Sequence, residues 1–473
     1  MANDPSKVSG AVQKMRVKLE LVRALMGGTA AMQEAGEKYL PKFPNEDKDS
    51  YRARLEASTL LPAYSETVHN MNGRVFAEPV SMGDDSPETI VAYSENIDQQ
   101  GNNLQVWVQD YFSEALATGL CHALVDFPST TDEAGRAMYP TRAAEMAAGV
   151  RPYAVIIKPD QVLGWKSKAI NGSETLTQFR YMETVEEDDA ESEFDTKCIE
   201  QVRVLEPGLW RTFRKQKVQG SKDEWIEYAR GTTSLSVIPL VTYYTKRTGF
   251  MTAVPPLMEL AYLNRKHWQK QSSLDNMEIT ALVPMLALFG VDDQSFQMTV
   301  GSSVATKLPK DSDMKWVELD GKAIELNQKA LDRLIDEMRM AGAKLLQKEK
   351  QATKTAAQAE EEAAQELSPL ETMAGTLEDA IDQILQFFAL WIGEAEGGHV
   401  QVNGNFDVDY APETTLPLLK GMVDSRYLSR QTLFGEVQRR GVLNGDLTWE
   451  EEAERINDEG PSLGLIGLGN GNG

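Results

Sequence analysis

The sequence predicts an α+β protein, and three observations carry that prediction. Apolar residues recur at helical spacing toward both ends of the chain, and the middle third breaks into short runs rich in Val, Ile, Tyr and Trp. At 473 residues the chain also exceeds what one hydrophobic core serves, so several packed regions are expected. A hydrophobic fraction of 41% supplies enough apolar surface for them.

The elements follow in chain order. Val12, Met15, Leu19, Leu21, Val22, Leu25 and Met26 form a broad apolar stripe, so residues 11–40 read as helical. Pro41 and Pro44 break that run, and it restarts near Ser50. This second helix is expected to carry on past Pro62 to Gly73, and a third to span about Asn102 to Gly119. "CHALVDFP", "RPYAVIIKPDQVLGWKS", "LTQFRYMETV", "CIEQVRVLEPGLWRTFRKQ" and "EWIEYAR" then read as strands of a mostly antiparallel sheet. Between two of them, Glu183 to Asp195 holds eight acids and no base. The spacing and glycine of a calcium loop are absent, which leaves a solvated hairpin tip.

From Val254 the chain turns helical again, with Pro255 and Pro256 at the helix start. Its apolar face, Leu257, Leu260, Ala261 and Leu263, fades between Arg265 and Ser273, where the helix is polar nearly all round. Such a stretch is expected to bridge subunits or line a wet cavity. Residues 281–320 are strand-like and turn-rich, and Ile324, Leu331, Leu334, Ile335, Met338 and Leu345 mark a second amphipathic helix. "KEKQATKTAAQAEEEAAQE", Lys348 to Glu366, has no large apolar residue. Ser368 and Pro369 form a cap and first-turn pair ahead of Leu370, Met373, Ala374, Leu377, Ile381, Ile384, Phe388, Trp391 and Ile392 on one face. Residues 355–393 together are expected to make a helical rod of about 58 Å, kinked near Pro369 and Gly375. A short strand in "HVQVNGNFDVDYAP", a helical region from about Glu413 with a Thr448–Glu451 capping box, and a disordered glycine-rich tail complete the chain.

Composition and motifs narrow the function classes. A net charge of −24 argues against tight sequestration of nucleic acid, which needs clustered Lys and Arg. Cys121 and Cys198 lack disulfide or metal spacing and suit a reducing compartment. The N-terminus has no signal pattern and no stretch is long and apolar enough to span a membrane, so synthesis in the cytosol is expected. There is no phosphate loop, nucleophile elbow, His-Glu-x-x-His or dinucleotide fingerprint. His69, His122, His267 and His399 are scattered and read as structural. "DVDY", Asp407 to Tyr410, has the form of half a carboxylate metal site but reads more simply as a solvated strand face. The helix near Arg430, Arg439 and Arg440 looks superficially like a DNA reader but lies in acidic surroundings and reads as helix packing. No enzyme activity, cofactor or metal is expected.

The order of parts resembles the portal proteins of tailed bacteriophages. The phrases that carry the resemblance are "YLPKFPNEDKDSYRARL", "VHNMNGRVFAEPV", "ALATGLCHALVDFP", "KPDQVLGWKS" and "VPPLMELAYLNRKHWQKQSSLDNMEITALVPMLALFG", and it runs from about residue 15 to 457. It implies a wing over residues 1–253, stem helices over 254–280 and 323–345, and a small α/β clip over 281–322. It further implies a tunnel loop over 346–358, a long kinked spine helix and strand of the wing over 359–411, and a helical crown over 412–460, with 461–473 as a disordered tail.

In this reading a ring of about twelve copies stands at one capsid vertex and passes double-stranded DNA. The partners implied are a terminase, capsid and scaffolding proteins, and a head-tail adaptor, with no membrane; the location is the virion, and the host cytoplasm during assembly. Lys344, Lys348, Lys350 and Lys354 would then ring the tunnel with positive charge, with Glu360, Glu361, Glu362 and Glu366 beyond them. Arg265, Lys266 and Lys270 would face the channel or pair with acids of the next subunit. Read without the resemblance, the four loop lysines are a solvated helix start with i, i+4 charge pairing. The alternative function is another virion structural protein, a capsid or adaptor subunit, and after it a metal-dependent hydrolase.

Overall fold

The computed structural model describes residues 4–128, 136, 138–189, 194–216, 224–282, 285–289, 311, 313–317, 321–346, 368–406, 412–439, 443 and 447–458. The N-terminal part holds α1 (Gly10–Met26), α2 (Gly28–Ala35), α3 (Lys48–Ala57), α4 (Ala63–Val75), β1 (Ser81–Met82), α5 (Glu88–Ser94) and α6 (Leu104–Thr118). Strands dominate next: β2 (Leu120–Asp126), then α7 (Arg142–Ala147), β3 (Tyr153–Ile157), β4 (Val162–Ile170), β5 (Ser173–Asp188), β6 (Thr196–Glu206), β7 (Leu209–Gln216), β8 (Glu224–Thr232), β9 (Leu240–Tyr244), β10 (Arg247–Gly249) and β11 (Thr252–Ala253). The rest is α8 (Met258–Leu282), β12 (Met285–Phe289), β13 (Asp313–Val317), α9 (Gly321–Ala343), a 3₁₀ turn at Lys344–Leu346, α10 (Pro369–Ile392), β14 (Val400–Gln401), α11 (Pro412–Asp424), α12 (Arg430–Arg439) and α13 (Trp449–Asp458). The class is α+β.

Strands β4 to β8 form an antiparallel meander, and β3-β2-β9 a second antiparallel sheet. The two sheets share a core of Leu124, Ile157, Val162, Phe179, Tyr181 and Leu205, closed on one side by Val12 of α1. A larger core joins α1, α4, α6, β2, β9, the start of α8, the end of α9 and α10. The chain enters α6 through Asn103, whose side chain accepts from the Val106 N–H, and leaves it at Gly119. Gly119 takes φ +100°, and a Cβ there would lie 2.4 Å from the Val254 carbonyl oxygen. Only glycine permits so abrupt a passage from α6 into β2.

Four expectations are corrected. The helical run over 11–40 is broken at Gly27, after which Gly28 takes φ +72°. The second helix does not carry on past Pro62: α3 ends at Ala57, Ser58 is extended, and α4 starts anew at Ala63. The Pro62 ring has no N–H to continue an i→i−4 ladder, and the Ser58 hydroxyl donates to the Arg54 carbonyl at 2.7 Å.

The acidic stretch Glu183–Asp195 is not simply a solvated tip. Its first half is strand, paired to β6 through Asp188, and the neighbouring strands bring bases to it. Arg203 reaches Glu183, Arg214 meets Glu187 at 2.7 Å, and Lys197 meets Asp189 at 2.6 Å. Nor does one rod run over 355–393. Ser368 is extended and makes a full capping box with Glu371, so the helix begins at Pro369. At 1.5 Å per residue the helix is about 36 Å long. Gly375 lies inside it.

After α10 the chain doubles back and is clasped to it by three side chains one turn apart. Gln386 donates to the Ala395 carbonyl and accepts from the Gly397 N–H, both at 3.0 Å. Asp382 accepts from the Val400 N–H at 2.8 Å and pairs with His399 at 2.5 Å. Glu378 accepts from the Val402 N–H at 2.7 Å. Spacing of i, i+4 and i+8 puts all three on one helix face. In the C-terminal region α12 meets α13 through Phe434 and Trp449, whose ring centroids are 5.7 Å apart. The Glu451 N–H donates to the Thr448 hydroxyl at 3.4 Å, and Arg430 begins α12, consistent with helix packing.

Candidate nucleic-acid interface

Helices α8 and α9 form an antiparallel hairpin whose root is embedded in the main core. Leu257, Leu260, Ala261 and Trp268 of the first limb, and Met338, Ala341, Leu345 and Leu346 of the second, are buried there. Across the hairpin, Gln328 Nε2 donates to Glu278 Oε1 at 3.1 Å and Asn327 approaches Met277. Past Leu274, and before Leu331, no described residue of either helix is buried. Ile279, Leu282 and Leu326 are 60%, 80% and 69% exposed, so the far turns project beyond the core with apolar side chains uncovered.

One face of the polar stretch of α8 has its partners within the same chain, so that face needs no cover from neighbouring subunits and lines no wet cavity. Leu260, Asn264, Trp268 and Ser272 stand four apart on one buried face. Asn264 accepts from the Tyr64 N–H at 3.1 Å and donates to the Leu61 carbonyl at 2.9 Å. It thereby satisfies backbone groups that the break between α3 and α4 leaves without a ladder. One turn on, Gln269 donates to the Tyr39 carbonyl at 2.8 Å. The Ser272 and Ser58 hydroxyls share a 2.8 Å hydrogen bond, and Arg54 donates to Ser272 Oγ at 3.2 Å.

Arg54 is itself buried with Glu46, at 2.7 Å, and also donates to the Pro41 carbonyl. Through a hydrogen bond, that guanidinium holds the Glu46 carboxyl below the usual range. His267 is buried beside this seam, and burial depresses its pKa. The sequence signal for the seam is the i, i+4 continuation of an apolar stripe by Asn and Ser, which a count of polar residues conceals.

The two helices hold their charges differently. On α9, Lys329 pairs with Glu325 at 2.7 Å, Arg333 with Glu337 at 3.2 Å and Arg339 with Asp336 at 3.2 Å, all within the helix. On α8, Lys266 is exposed and Arg265 and Lys270 are half-buried. Tyr262, Lys266 and Lys270 share a face at i, i+4 spacing, and the Arg265 guanidinium lies 5.6 Å from the Tyr262 ring. Lys344 is exposed in the turn after α9. Among the described residues none of these four cations has an ion-pair partner. No hydrogen bond or ring contact brings Lys344 to the three on α8.

Lys348, Lys350 and Lys354 lie outside the described residues, as do Asp407 to Tyr410. The flanks of the first stretch are fixed: Leu345 and Leu346 on one side, and Ser368 and Leu370 on the other, are buried, and the turn packs against α10.

Elsewhere the titratable groups are structural in their surroundings. His122 is buried, contacts Thr242 Oγ1 at 2.9 Å, and is pushed down to about 3 by burial. His399 is raised by its hydrogen bond to Asp382. Cys121 is buried and raised, whereas Cys198 is exposed. Among the described residues no three His, Cys, Asp or Glu side chains cluster as metal ligands, and no helix is long and apolar enough to cross a membrane.

A family model described as a domain of unknown function (DUF4055) matches residues 256–392, from the start of α8 to the end of α10. No curated protein matches the chain in sequence. Among solved structures, the chain is distantly similar to a chain in the neck of an empty GTA particle, at 12% identity and a TM-score of 0.41 over 83% of this chain and 93% of that one. A chain in the virion of a native gene transfer agent particle aligns at 11% identity and 0.38, covering 78% and 88%. A chain in the neck of a native GTA particle aligns at 11% and 0.38, covering 82% and 91%.

Proposed function

We propose that this chain is a portal-type subunit, a non-enzymatic structural component of a phage-like virion. Copies of it form a ring of about twelve at one capsid vertex, through which double-stranded DNA passes in packaging and ejection. One observation carries the reading. The α8–α9 hairpin projects from the core with uncovered apolar turns, while its α8 limb carries Arg265, Lys266 and Lys270 with no ion-pair partner among the described residues. Exposed apolar turns call for burial against further copies. Unpaired cations give passing phosphates weak, sequence-independent contact, and the −24 charge of the whole chain opposes tight adhesion. The sequence resemblance supplies the direction of traffic and the partners: a terminase to drive it, capsid and scaffolding proteins around it, and a head-tail adaptor below.

Lys344, and with it Lys348, Lys350 and Lys354, belongs in this proposal to the rim of the same channel. Electron microscopy of the purified protein tests the reading, with closed rings bearing an axial hole as the expected result. A monomer, or shells built of hexamers and pentamers, rejects it. A combined Lys266→Ala, Lys270→Ala, Lys344→Ala variant should keep its rings and change DNA packaging or retention; unchanged packaging removes the lysines from the proposal.

A further inference from the structure

Two helices of the N-terminal part each carry a short charged stripe around an exposed valine, and the two stripes have opposite sign. On α1 most charges are engaged within the chain: Arg23 pairs with Glu114 and Asp160, Glu20 pairs with Lys38, and Arg16 donates to the Val162 carbonyl at 2.9 Å. Lys14 and Lys18 stand outside that network, exposed beside Val17, which is itself 66% exposed. Spacing of i, i+3 and i+4 puts the three on one helix face. Helix α5 presents the reverse. Its Ile90 and Ser94 are buried, which turns Glu88, Val91, Ala92 and Glu95 outward, and all four are exposed. Glu95 directly follows α5 and keeps a helical backbone, so the face is continuous. Among the described residues Lys14, Lys18, Glu88 and Glu95 have no ion-pair partner.

The stripes also have different settings, since α1 packs on α2, α4, α6 and α8, and α5 on α10. An apolar side chain framed by unpaired charge of one sign fits a surface of the other sign and rejects its own kind. Two α1 stripes would set lysine against lysine, and two α5 stripes glutamate against glutamate. A second copy of the chain offers both stripes what they lack. With Val17 seated on Val91, a rise of 1.5 Å per residue leaves each lysine a glutamate within about 5 Å along the axis, whether the helices run parallel or antiparallel. The flexible lysine stem spans that offset.

We infer that the Lys14–Val17–Lys18 face of α1 in one copy docks on the Glu88–Val91–Glu95 face of α5 in the next. The contact joins two different surfaces of the subunit, so its repetition builds a ring or a filament and not a closed dimer. It rests on the ring reading given above and names one of the contacts that hold the ring together.

The test is the concentration dependence of assembly, followed by sedimentation velocity on the full chain. Lys14→Glu with Lys18→Glu should raise the concentration for half-assembly by about tenfold, and Glu88→Lys with Glu95→Lys should do the same. Combining all four substitutions should restore wild-type assembly. In a Cys198→Ser background, Val17→Cys with Val91→Cys should give a ladder of disulfide-linked multimers on oxidation. Charge reversals without effect, or a fourfold variant as impaired as its parents and no ladder, overturn the helix contact while rings persist. Wild-type protein that stays monomeric overturns the ring reading and this contact together, and a dimer that never grows overturns the head-to-tail geometry.

Discussion

The two limbs of the α8–α9 hairpin use their polar residues in different ways. On one face of α8 they turn inward, where Asn264 and Ser272 bond the broken α3–α4 segment and Gln269 bonds the Tyr39 carbonyl. On α9 they turn outward and pair along the helix surface. Buried polar groups are costly to orphan, whereas exposed ion pairs contribute little. The lesson is that polarity at the root of the hairpin fixes the position of α8 against the N-terminal helices. On the other limb the ion pairs stay at the surface.

Substitutions can break that contrast in order of size. Arg54→Met removes one partner of a buried ion pair and a donor to Pro41 and Ser272, and should cost about 4 kcal/mol by denaturant unfolding. Asn264→Leu keeps the branched shape but strands the buried Tyr64 N–H, for a loss of about 2 kcal/mol. Ser272→Ala should cost about 1 kcal/mol, since Ser58 and Arg54 keep other partners. If Asn264→Leu proves neutral, the seam does not position α8.

A pH experiment sharpens the picture in the strap that follows α10. His399 has its pKa raised by Asp382, so its contribution is complete below about pH 6.5, the unfolded value. The contribution fades as pH rises through the higher folded value. The protection of the Val400 amide, its exchange relative to the intrinsic rate at each pH, should fall over that upper window, and His399→Ala should abolish that fall. The smallest effect belongs to α9, where Lys329→Ala should leave the unfolding midpoint unchanged. A clear shift there would erase the difference between the limbs.

Much of the architecture was legible because pattern and physics agreed. Period-two runs bounded by Pro and Gly marked β2 to β8, and the Ser368 cap sits where its helix begins. What misled was polarity without context. A strand of acids looked like a loop because its bases, Arg203 and Arg214, lie on other strands. The polar face of α8 looked like a surface because its partner is a helix break near Pro62 that apolar periodicity runs straight through. As for the proposed channel, the sequence pointed to Arg265, Lys266 and Lys270, and the structure adds that they have no ion-pair partner among the described residues.

The clasp on α10 has an evolutionary corollary. Glu378, Asp382 and Gln386 grip main-chain amides and carbonyls, which every residue but proline offers alike. Gln401, between two gripped amides, is therefore free to drift in identity. An insertion or deletion of one residue would instead throw all three grips out of step, so selection along this stretch acts on length before it acts on letters.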